Sequence, residues 1–300
     1  MKKTLIASAV AAATLSTGVM AADKGIEFYG DIDVAYVHAD ADGNTANAVM
    51  DSDSTFGLTH SHMVSEGVTA FAKVEFEFDA DETTAGINQS DEIYVGVKGD
   101  FGSVQYGVDD TVYEWVDVTD TSEFVGLEGE LAADSEVENL QYVSPEIADG
   151  LTVGVTLPVE SSSVFAGALA AKYAMDNLEL AFAYSMGREE AGVEAEDTIG
   201  LGATYSMDDI TVMLGYESMS DTVDYIGLQG MYTMGQNQFA LGYGMKSYDG
   251  AEDEATIALQ ALHNVTDHLF VALEYTTSTD LGGVDGADVD VLAIGANYSF

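Results

Sequence analysis

The chain has 300 residues, no cysteine, only two prolines and a formal charge of −45, with 53 acidic against eight basic residues. Such an excess of acid excludes nucleic-acid binding and adhesion to anionic lipid, since both require clustered Lys and Arg, and it favours cations as partners. A disordered acidic chain is excluded too, because 47% of the residues are hydrophobic.

The N-terminus has the features of a secretory signal peptide. Two lysines precede an uncharged run, rich in Ala, Ser and Thr, that extends to Met20, and Ala21 completes a cleavage site of small residues. A membrane anchor helix is the alternative, but the run is only weakly apolar. We therefore predict that residues 1–21 are removed on export and that residues 22–300 fold as one domain.

From residue 25 onwards the sequence alternates between strands and turns. Sixteen candidate strands of about ten residues follow one another, the first near 25–38 and the last near 288–300. In the last strand Ile294, Tyr298 and Phe300 fall on one face, and smaller residues fall on the other. This period of two is typical of β-strands with one apolar face.

The connections between the strands also alternate in character. Tight turns such as Glu66-Gly67 alternate along the chain with longer acidic loops, among them 39–52 and 110–136. Strands of this length cross a bilayer at a tilt, and aromatic residues gather near their ends. The sequence thus predicts an all-β transmembrane antiparallel barrel of sixteen strands, with short periplasmic turns and longer outer loops. Closure of the sheet satisfies the backbone without disulfides, and a barrel this wide encloses an aqueous channel.

Several segments resemble the general porins of the Gram-negative outer membrane. They are EFYGDID (27–33), STFGLTH (54–60), VGVKGDFGSVQYG (95–107), NLQYVSPEIADGLTVGV (139–155) and the terminal Phe300. The resemblance implies a porin β-barrel over 22–300 that assembles as a homotrimer among outer-membrane lipid and lipopolysaccharide. It also implies that the terminal aromatic, Phe300, is the signal read by the barrel assembly machinery.

The resemblance further implies that the third loop, 110–136, folds inward and narrows the pore. The segment SEFVG at 122–126 stands where the family often has Pro-Glu-Phe-Gly-Gly. Glu123 therefore matches the pore-lining acid of the family, and Asp120 approximates a second one. Ser122 replaces the proline, which puts the path of the loop in question, and a solvated surface loop is the alternative.

The predicted wall opposite this loop departs from the family. General porins place basic residues there, but the aligned positions are Asp31, Thr55, Val108 and Gln141, of which none is basic. Strand parity adds four charged residues to the lumen, namely Asp33, Lys73, Glu75 and Glu77, and Lys73 is the only base placed there with confidence. We predict passive diffusion of small hydrophilic solutes and ions, with a preference for cations. Adaptation to a saline habitat is a compatible explanation of the acidity.

Enzymatic, metal-binding and sugar-specific functions are the alternatives to this prediction. The chain contains neither G-x-S-x-G nor H-E-x-x-H, so no enzyme, cofactor or metal is predicted. His60 and His62 supply only part of a zinc site, and the segment 40–44 lacks the spacing of an EF-hand loop, although weak divalent binding by the outer loops stays open. A substrate-specific channel or a mainly structural or enzymatic barrel is the alternative. A sugar channel requires a track of lumenal aromatic rings, for which only Tyr29 and Phe71 qualify.

Overall fold

The computed structural model describes residues 24–81, 87–127, 129, 131–132, 137–159, 165–188 and 195–300. The predicted signal peptide, residues 1–21, lies outside the described residues. Within the described ranges, no helix is long and apolar enough to cross a membrane.

Among the residues that the structure describes, seventeen strand segments form a single antiparallel sheet. They are β1 (Lys24–Ala41), β2 (Asn44–Asp51), β3 (Thr55–Ser65), β4 (Val68–Phe78), β5 (Ile87–Gly99), β6 (Gly102–Asp109), β7 (Val137–Val143), β8 (Leu151–Pro158), β9 (Phe165–Met175), β10 (Leu178–Gly187), β11 (Thr198–Met207), β12 (Ile210–Met219), β13 (Val223–Met234), β14 (Asn237–Tyr248), β15 (Glu254–Thr266), β16 (Leu269–Thr279) and β17 (Val289–Ser299). Short 3₁₀ helices span Val112–Val116 and Leu281–Gly283. Apart from β2 and β3, which both pair with β1, consecutive strands pair with each other, as expected for an up-and-down sheet.

The sheet closes into a barrel of sixteen strands, which confirms the predicted fold class. β2 and β3 are two segments of one barrel strand, interrupted where Asp53 adopts a φ of 58°, and both pair with β1. β1 also pairs with β17, in a register that runs from Asp31 opposite Ser299 to Ala41 opposite Val289. At the seam the backbones of Gly30 and Phe300 exchange hydrogen bonds of 3.2 and 2.9 Å. Closure thus joins the first and last strands of the barrel wall, as a membrane requires.

Side chains alternate between the outside of the barrel and its lumen. In β10, Leu180 and Phe182 are each 41% exposed on the outside, whereas Ala181 and Ala183 are 6% and 0% exposed inside. The same alternation places Ile294, Tyr298 and Phe300 outside, as predicted for the last strand. The outer face is therefore a belt of apolar and aromatic side chains suited to lipid.

The first outer connection is much shorter than predicted. The range 39–52 was expected to be a long acidic loop, but β1 and β2 continue as a hairpin that leaves only Asp42 and Gly43 as its turn. Both have positive φ, 51° and 80°, the geometry of a type I′ turn, for which Asp-Gly is a preferred pair. The prediction was wrong because a strand pair with water on both faces needs no apolar face. Its sequence therefore lacks the alternation of apolar and polar residues from which strands were predicted. The segment 40–44 is accordingly a hairpin turn, in which the Asp40 carboxylate accepts a 2.8 Å hydrogen bond from the Gly43 N–H.

Candidate pore constriction

The connection after β6 turns into the barrel, which confirms the predicted inward third loop. Its 3₁₀ helix begins at a Thr111 cap, where the threonine hydroxyl accepts a hydrogen bond from the Tyr113 N–H. Val112, Tyr113 and Val116 are at most 1% exposed and pack with lumenal alanines of β9 and β10. The solvated surface loop is thereby excluded for this part of the chain.

Glycines in the barrel wall make room for the loop. A Cβ at Gly200 of β11 would come within 2.4 Å of Val116, and one at Gly242 of β14 within 2.7 Å of Leu127. Further wall glycines stand against the loop in the same way, namely Gly154 against Trp115, Gly215 against Thr119 and Gly295 against Phe124. Glycine weakens a strand interior, so this series marks the close approach of a second backbone.

A buried carboxylate of β16 holds the tip of the loop. Glu274 is 1% exposed, and its two oxygens accept hydrogen bonds of 2.8 Å from the three consecutive backbone N–H groups of residues 123–125. Gln260 Nε2 donates a further bond of 2.9 Å. Four donors compensate the cost of burying this carboxylate.

Further contacts fix both arms of the loop. The Glu217 carboxylate of β12 accepts hydrogen bonds from the Tyr113 hydroxyl at 2.8 Å and the Leu131 N–H at 3.1 Å, so it joins the outgoing arm to the returning one. Ser52, at the end of β2, donates a 2.9 Å hydrogen bond to the Glu123 carbonyl oxygen. The tip is therefore held from both sides, between β16 and the first strands of the barrel.

The wall formed by β1 and β3 presents carboxylates next to the loop tip. Asp31 accepts hydrogen bonds from Thr55 Oγ1 at 3.0 Å and Asn297 Nδ2 at 3.4 Å. Asp33 is 7% exposed, and its carbonyl oxygen accepts a 3.0 Å hydrogen bond from the N–H of Ser52, the residue whose hydroxyl binds the Glu123 carbonyl oxygen. Acids from the wall and from the loop thus meet at one level of the lumen.

The predicted lumenal base, Lys73, is surrounded by acid. Its ammonium group lies 2.8 Å from both the Glu75 and the Glu92 carboxylates, so one positive charge faces two negative ones. Glu77 lies on the same face of β4, opposite Thr55. This part of the wall therefore keeps a net negative charge.

The two acids of the loop tip have distinct surroundings. Asp120 accepts a 3.1 Å hydrogen bond from the Ser122 N–H and so turns the chain into the tip. Burial, followed by repulsion from Glu274 and Asp120, raises the pKa of Glu123 to about 7. Glu123 is consequently a carboxyl group that changes charge near neutral pH.

One residue that was predicted to face the lumen lies on the outer face of the barrel instead. Asp31 and Thr55 face the lumen, and so does Gln141, which donates a 2.8 Å hydrogen bond to the Asp110 carbonyl oxygen. Val108, however, pairs with the outward-facing Ile93 and lies on the outer face. An alignment error of one residue turns a strand side chain to the opposite face, because the period is two.

Sequence reasoning missed other lumenal residues. Lys98, Lys172 and Lys246 also lie on the lumenal face, so Lys73 is not the only base inside. Strand parity could have placed Glu274 inside, since its neighbour Leu273 is 48% exposed on the outer face. No local signal could have shown that Glu274 binds a loop about 150 residues away in the chain.

The histidine pair lies on the outer face of β3. The rings of His60 and His62 stack with centroids 5.4 Å apart. In the part of the chain that the structure describes, no group of three or more potential ligands could hold a metal ion. A zinc site needs three or four ligands, of which this pair could supply two.

An apolar exterior, an acidic lumen and an inward loop together define an outer-membrane channel protein. A profile described as Gram-negative porin matches residues 7–300, so the chain belongs to that family and is located in the outer membrane. The predicted resemblance to porins is confirmed. Both the family and the fold are those of channels and not of enzymes.

Relatives and solved structures agree with this assignment. A monosaccharide porin of a Halomonas species and the major outer membrane protein of Halomonas elongata are each 31% identical over 89% of this chain and 83% of theirs. An anion-selective porin from Comamonas acidovorans has a TM-score of 0.76 at 15% identity, covering 92% of this chain and 99% of that one. OmpF of Salmonella typhi also reaches 0.76, at 17% identity, covering 92% and 97%. At these identities the structures show the shared fold alone.

Proposed function

We propose that this porin lets small hydrophilic solutes diffuse through its lumen and passes cations in preference to anions. The observation that carries the proposal is the approach of a wall acid, Asp33, to the loop acid Glu123 through Ser52, which forms hydrogen bonds to the backbone of both, with Asp31 on the same face of β1. The wall positions that are basic in general porins hold Asp31, Thr55 and Gln141 instead.

The mechanism is electrostatic. Two unit charges ~4 Å apart interact by about 1 kcal/mol in water and by about 4 kcal/mol at an effective dielectric constant of 20. A few carboxylates between walls of low dielectric therefore enrich cations and exclude anions by several-fold to tens-fold. The preference should weaken at high salt, because the Debye length falls to about 3 Å at 1 M.

The test is the reversal potential of the purified protein in a planar bilayer under a tenfold KCl gradient. The reversal potential is expected to have the same sign as the K⁺ equilibrium potential. A potential of the opposite sign, or none, would overturn the cation preference while leaving the channel itself intact. The sign is informative because an anion-selective porin shares this fold.

Selectivity should depend on pH around neutrality. Because the pKa of Glu123 is about 7, this carboxyl is mostly ionised at pH 8 and mostly neutral at pH 6. The K⁺ to Cl⁻ permeability ratio is expected to rise about twofold from pH 6 to pH 8, as one more negative charge enters the constriction. Reversal potentials at both pH values measure it. The Glu123→Gln variant should show a smaller rise, and an equal rise in that variant would assign it to other groups.

A second candidate is passage of monosaccharides with some specificity. The observation in its favour is the 31% identity to a monosaccharide porin over 89% of this chain. Liposome swelling with sugars of graded size distinguishes the two functions. General diffusion gives rates that fall smoothly with size, whereas specific passage gives one class of sugar a higher rate than its size predicts.

Phe300 is proposed as the signal for assembly by the barrel assembly machinery. Its ring lies over Gly30, where an added Cβ would come within 2.8 Å, and its backbone completes the seam with β1. Deleting Phe300 is expected to lower the outer-membrane level of the protein several-fold, measured by immunoblotting of membrane fractions. Phe300→Tyr, which keeps an aromatic ring, should assemble nearly as well as the wild type. Normal levels of the deletion variant would contradict this role.

The remaining proposals concern processing and assembly. We propose that the signal peptide is cleaved after Ala21 and that residues 22–300 form a homotrimer surrounded by outer-membrane lipid and lipopolysaccharide. One related structure, OmpT of Vibrio cholerae, is described in a trimer form, at 19% identity and a TM-score of 0.70. Mass spectrometry of the exported protein tests the cleavage site. Cross-linking in intact membranes tests the trimer, and a monomer alone would refute it.

A further inference from the structure

Four polar side chains of the barrel wall are buried beside the tip of the third loop. They belong to four consecutive strands, and each is at most 5% exposed: Gln229 of β13, Gln238 of β14, Gln260 of β15 and Glu274 of β16. Side chains shielded from water in this way need hydrogen-bond partners within the protein. The direction of each hydrogen bond among them therefore shows what the position requires.

Gln260 connects the loop to the carboxylate that holds it. Its Nε2 atom donates hydrogen bonds of 3.0 Å to the Thr121 carbonyl oxygen and of 2.9 Å to Glu274 Oε1. Glu274 stands directly opposite Gln260 in the β15–β16 pairing and accepts the backbone N–H groups of residues 123–125. One amide group thus contacts both the loop at Thr121 and the side chain that binds the tip.

The surroundings of Gln260 determine the orientation of its amide. A carbonyl oxygen and a carboxylate can only accept hydrogen bonds, so the amide nitrogen must face both Thr121 and Glu274. The amide oxygen then faces Gln238, whose Nε2 donates a 3.1 Å hydrogen bond to it. Donors therefore run in one direction, from Gln238 through Gln260 to the loop and to Glu274.

Gln229 binds the same loop residue in the opposite sense. Its Oε1 atom accepts a 3.0 Å hydrogen bond from the Thr121 hydroxyl. This contact requires an acceptor in the wall, whereas the contacts of Gln260 require a donor. A carboxylate can therefore replace the function of the amide at position 229 but not at position 260, although both positions are buried.

We propose that Gln260 is a positioning residue of the constriction. Its amide, oriented by Gln238, holds Thr121 and Glu274 in a fixed relation and so determines where the loop tip, with Glu123, stands in the channel. The role requires a hydrogen-bond donor at position 260 and not merely a side chain of that volume. The inference rests on the proposed passage of ions past Glu123, to which it adds the residue that fixes the path.

The test is single-channel recording of the full-length mature porin at pH 8 and pH 5. Gln260→Glu keeps the shape of the side chain and replaces the donor by an acceptor. Among the described residues, Glu274 faces this position, and Glu123 and Asp120 lie beside it on the loop. At pH 8, repulsion between adjacent carboxylates should release the tip and raise the time spent outside the main current level about tenfold. At pH 5, a proton shared by the two carboxyl groups supplies a donor again, so the current should regain the steadiness of the wild type.

Gln229→Glu is the matched control. It introduces the same carboxyl group beside the loop but keeps the acceptor that the Thr121 hydroxyl needs, so its current should stay steady at both pH values. Gln260→Leu removes the donor without adding a charge and should leave the main level equally often at both pH values. This second variant keeps the test decisive if Gln260→Glu does not fold.

Three results would overturn the inference. They are a steady current in the Gln260 variants, excursions in Gln260→Glu that acidification does not reduce, and equal excursions in Gln229→Glu. Each of them leaves the proposed cation preference standing, because that preference is read from the reversal potential of the wild type. A wild-type reversal potential without cation preference would instead refute the proposed function and leave the comparison of current levels unaffected.

Discussion

Replacing Glu274 with alanine is expected to turn a steady open-channel current into one that flickers between several levels. The substitution removes the acceptor of four hydrogen bonds, three from the backbone N–H groups of residues 123–125 and one from Gln260. Hydrogen bonds to a charged group contribute ~1.5–3 kcal/mol each, and the four are not additive. A total loss of about 3–5 kcal/mol is the usual result of removing one partner of a buried charged contact.

A loss of this size changes the population of the released loop by about two to four orders of magnitude. The tip would then leave the wall of β16 and sample positions inside the lumen, where it obstructs the current. Glu274→Gln, which keeps one acceptor oxygen, should give an intermediate phenotype. Single-channel recordings at fixed voltage measure the number of levels and the dwell times.

The matched control is Glu179→Ala. Glu179 also faces the lumen, but its side chain is 44% exposed and pairs with Lys172 at 3.3 Å, and an exposed pair of this kind contributes little. This variant should keep the steady current. A steady current in Glu274→Ala would show that packing on the wall glycines and the contacts of Glu217 hold the loop without the Glu274 carboxylate.

The second large effect is expected from neutralising the constriction. A variant with Asp31→Asn, Asp33→Asn, Asp120→Asn and Glu123→Gln keeps the shape of the site and removes four negative charges. Its K⁺ to Cl⁻ permeability ratio should fall to within about threefold of unity, since the remaining attraction comes from more distant, screened acids. Reversal potentials under a KCl gradient measure the ratio.

The control removes the same number of charges elsewhere. Four exposed acids of the short turns, Glu66, Asp100, Asp149 and Asp209, can be replaced by their amides. If the constriction determines selectivity, this control should retain most of the wild-type ratio at 0.1 M salt or above. An equal loss in both variants would assign the preference to the overall charge of the protein.

The local pattern in the sequence was sufficient for the fold. Period two along each strand, as in Ile294, Tyr298 and Phe300, reports which face meets an apolar solvent, and it needs no knowledge of distant residues. It therefore predicted the number of barrel strands, the outward belt and the lumenal side of Asp31, Lys73 and Glu75. Where a strand pair stands in water, as in the hairpin around Asp42 and Gly43, that pattern is absent and the prediction was wrong.

The constriction depended on contacts that no local pattern contains. The hold of Glu274 on residues 123–125 and the contact of Gln260 with Thr121 join segments that only closure of the barrel brings together. Val108 illustrates the sensitivity to alignment, because a shift of one residue decides whether a strand side chain faces the lumen or the lipid. The sequence by itself thus determined a closed, two-sided wall. The tertiary structure alone decided what stands inside it, since hydrogen bonds and close approach act between atoms in space and not between neighbours in the chain.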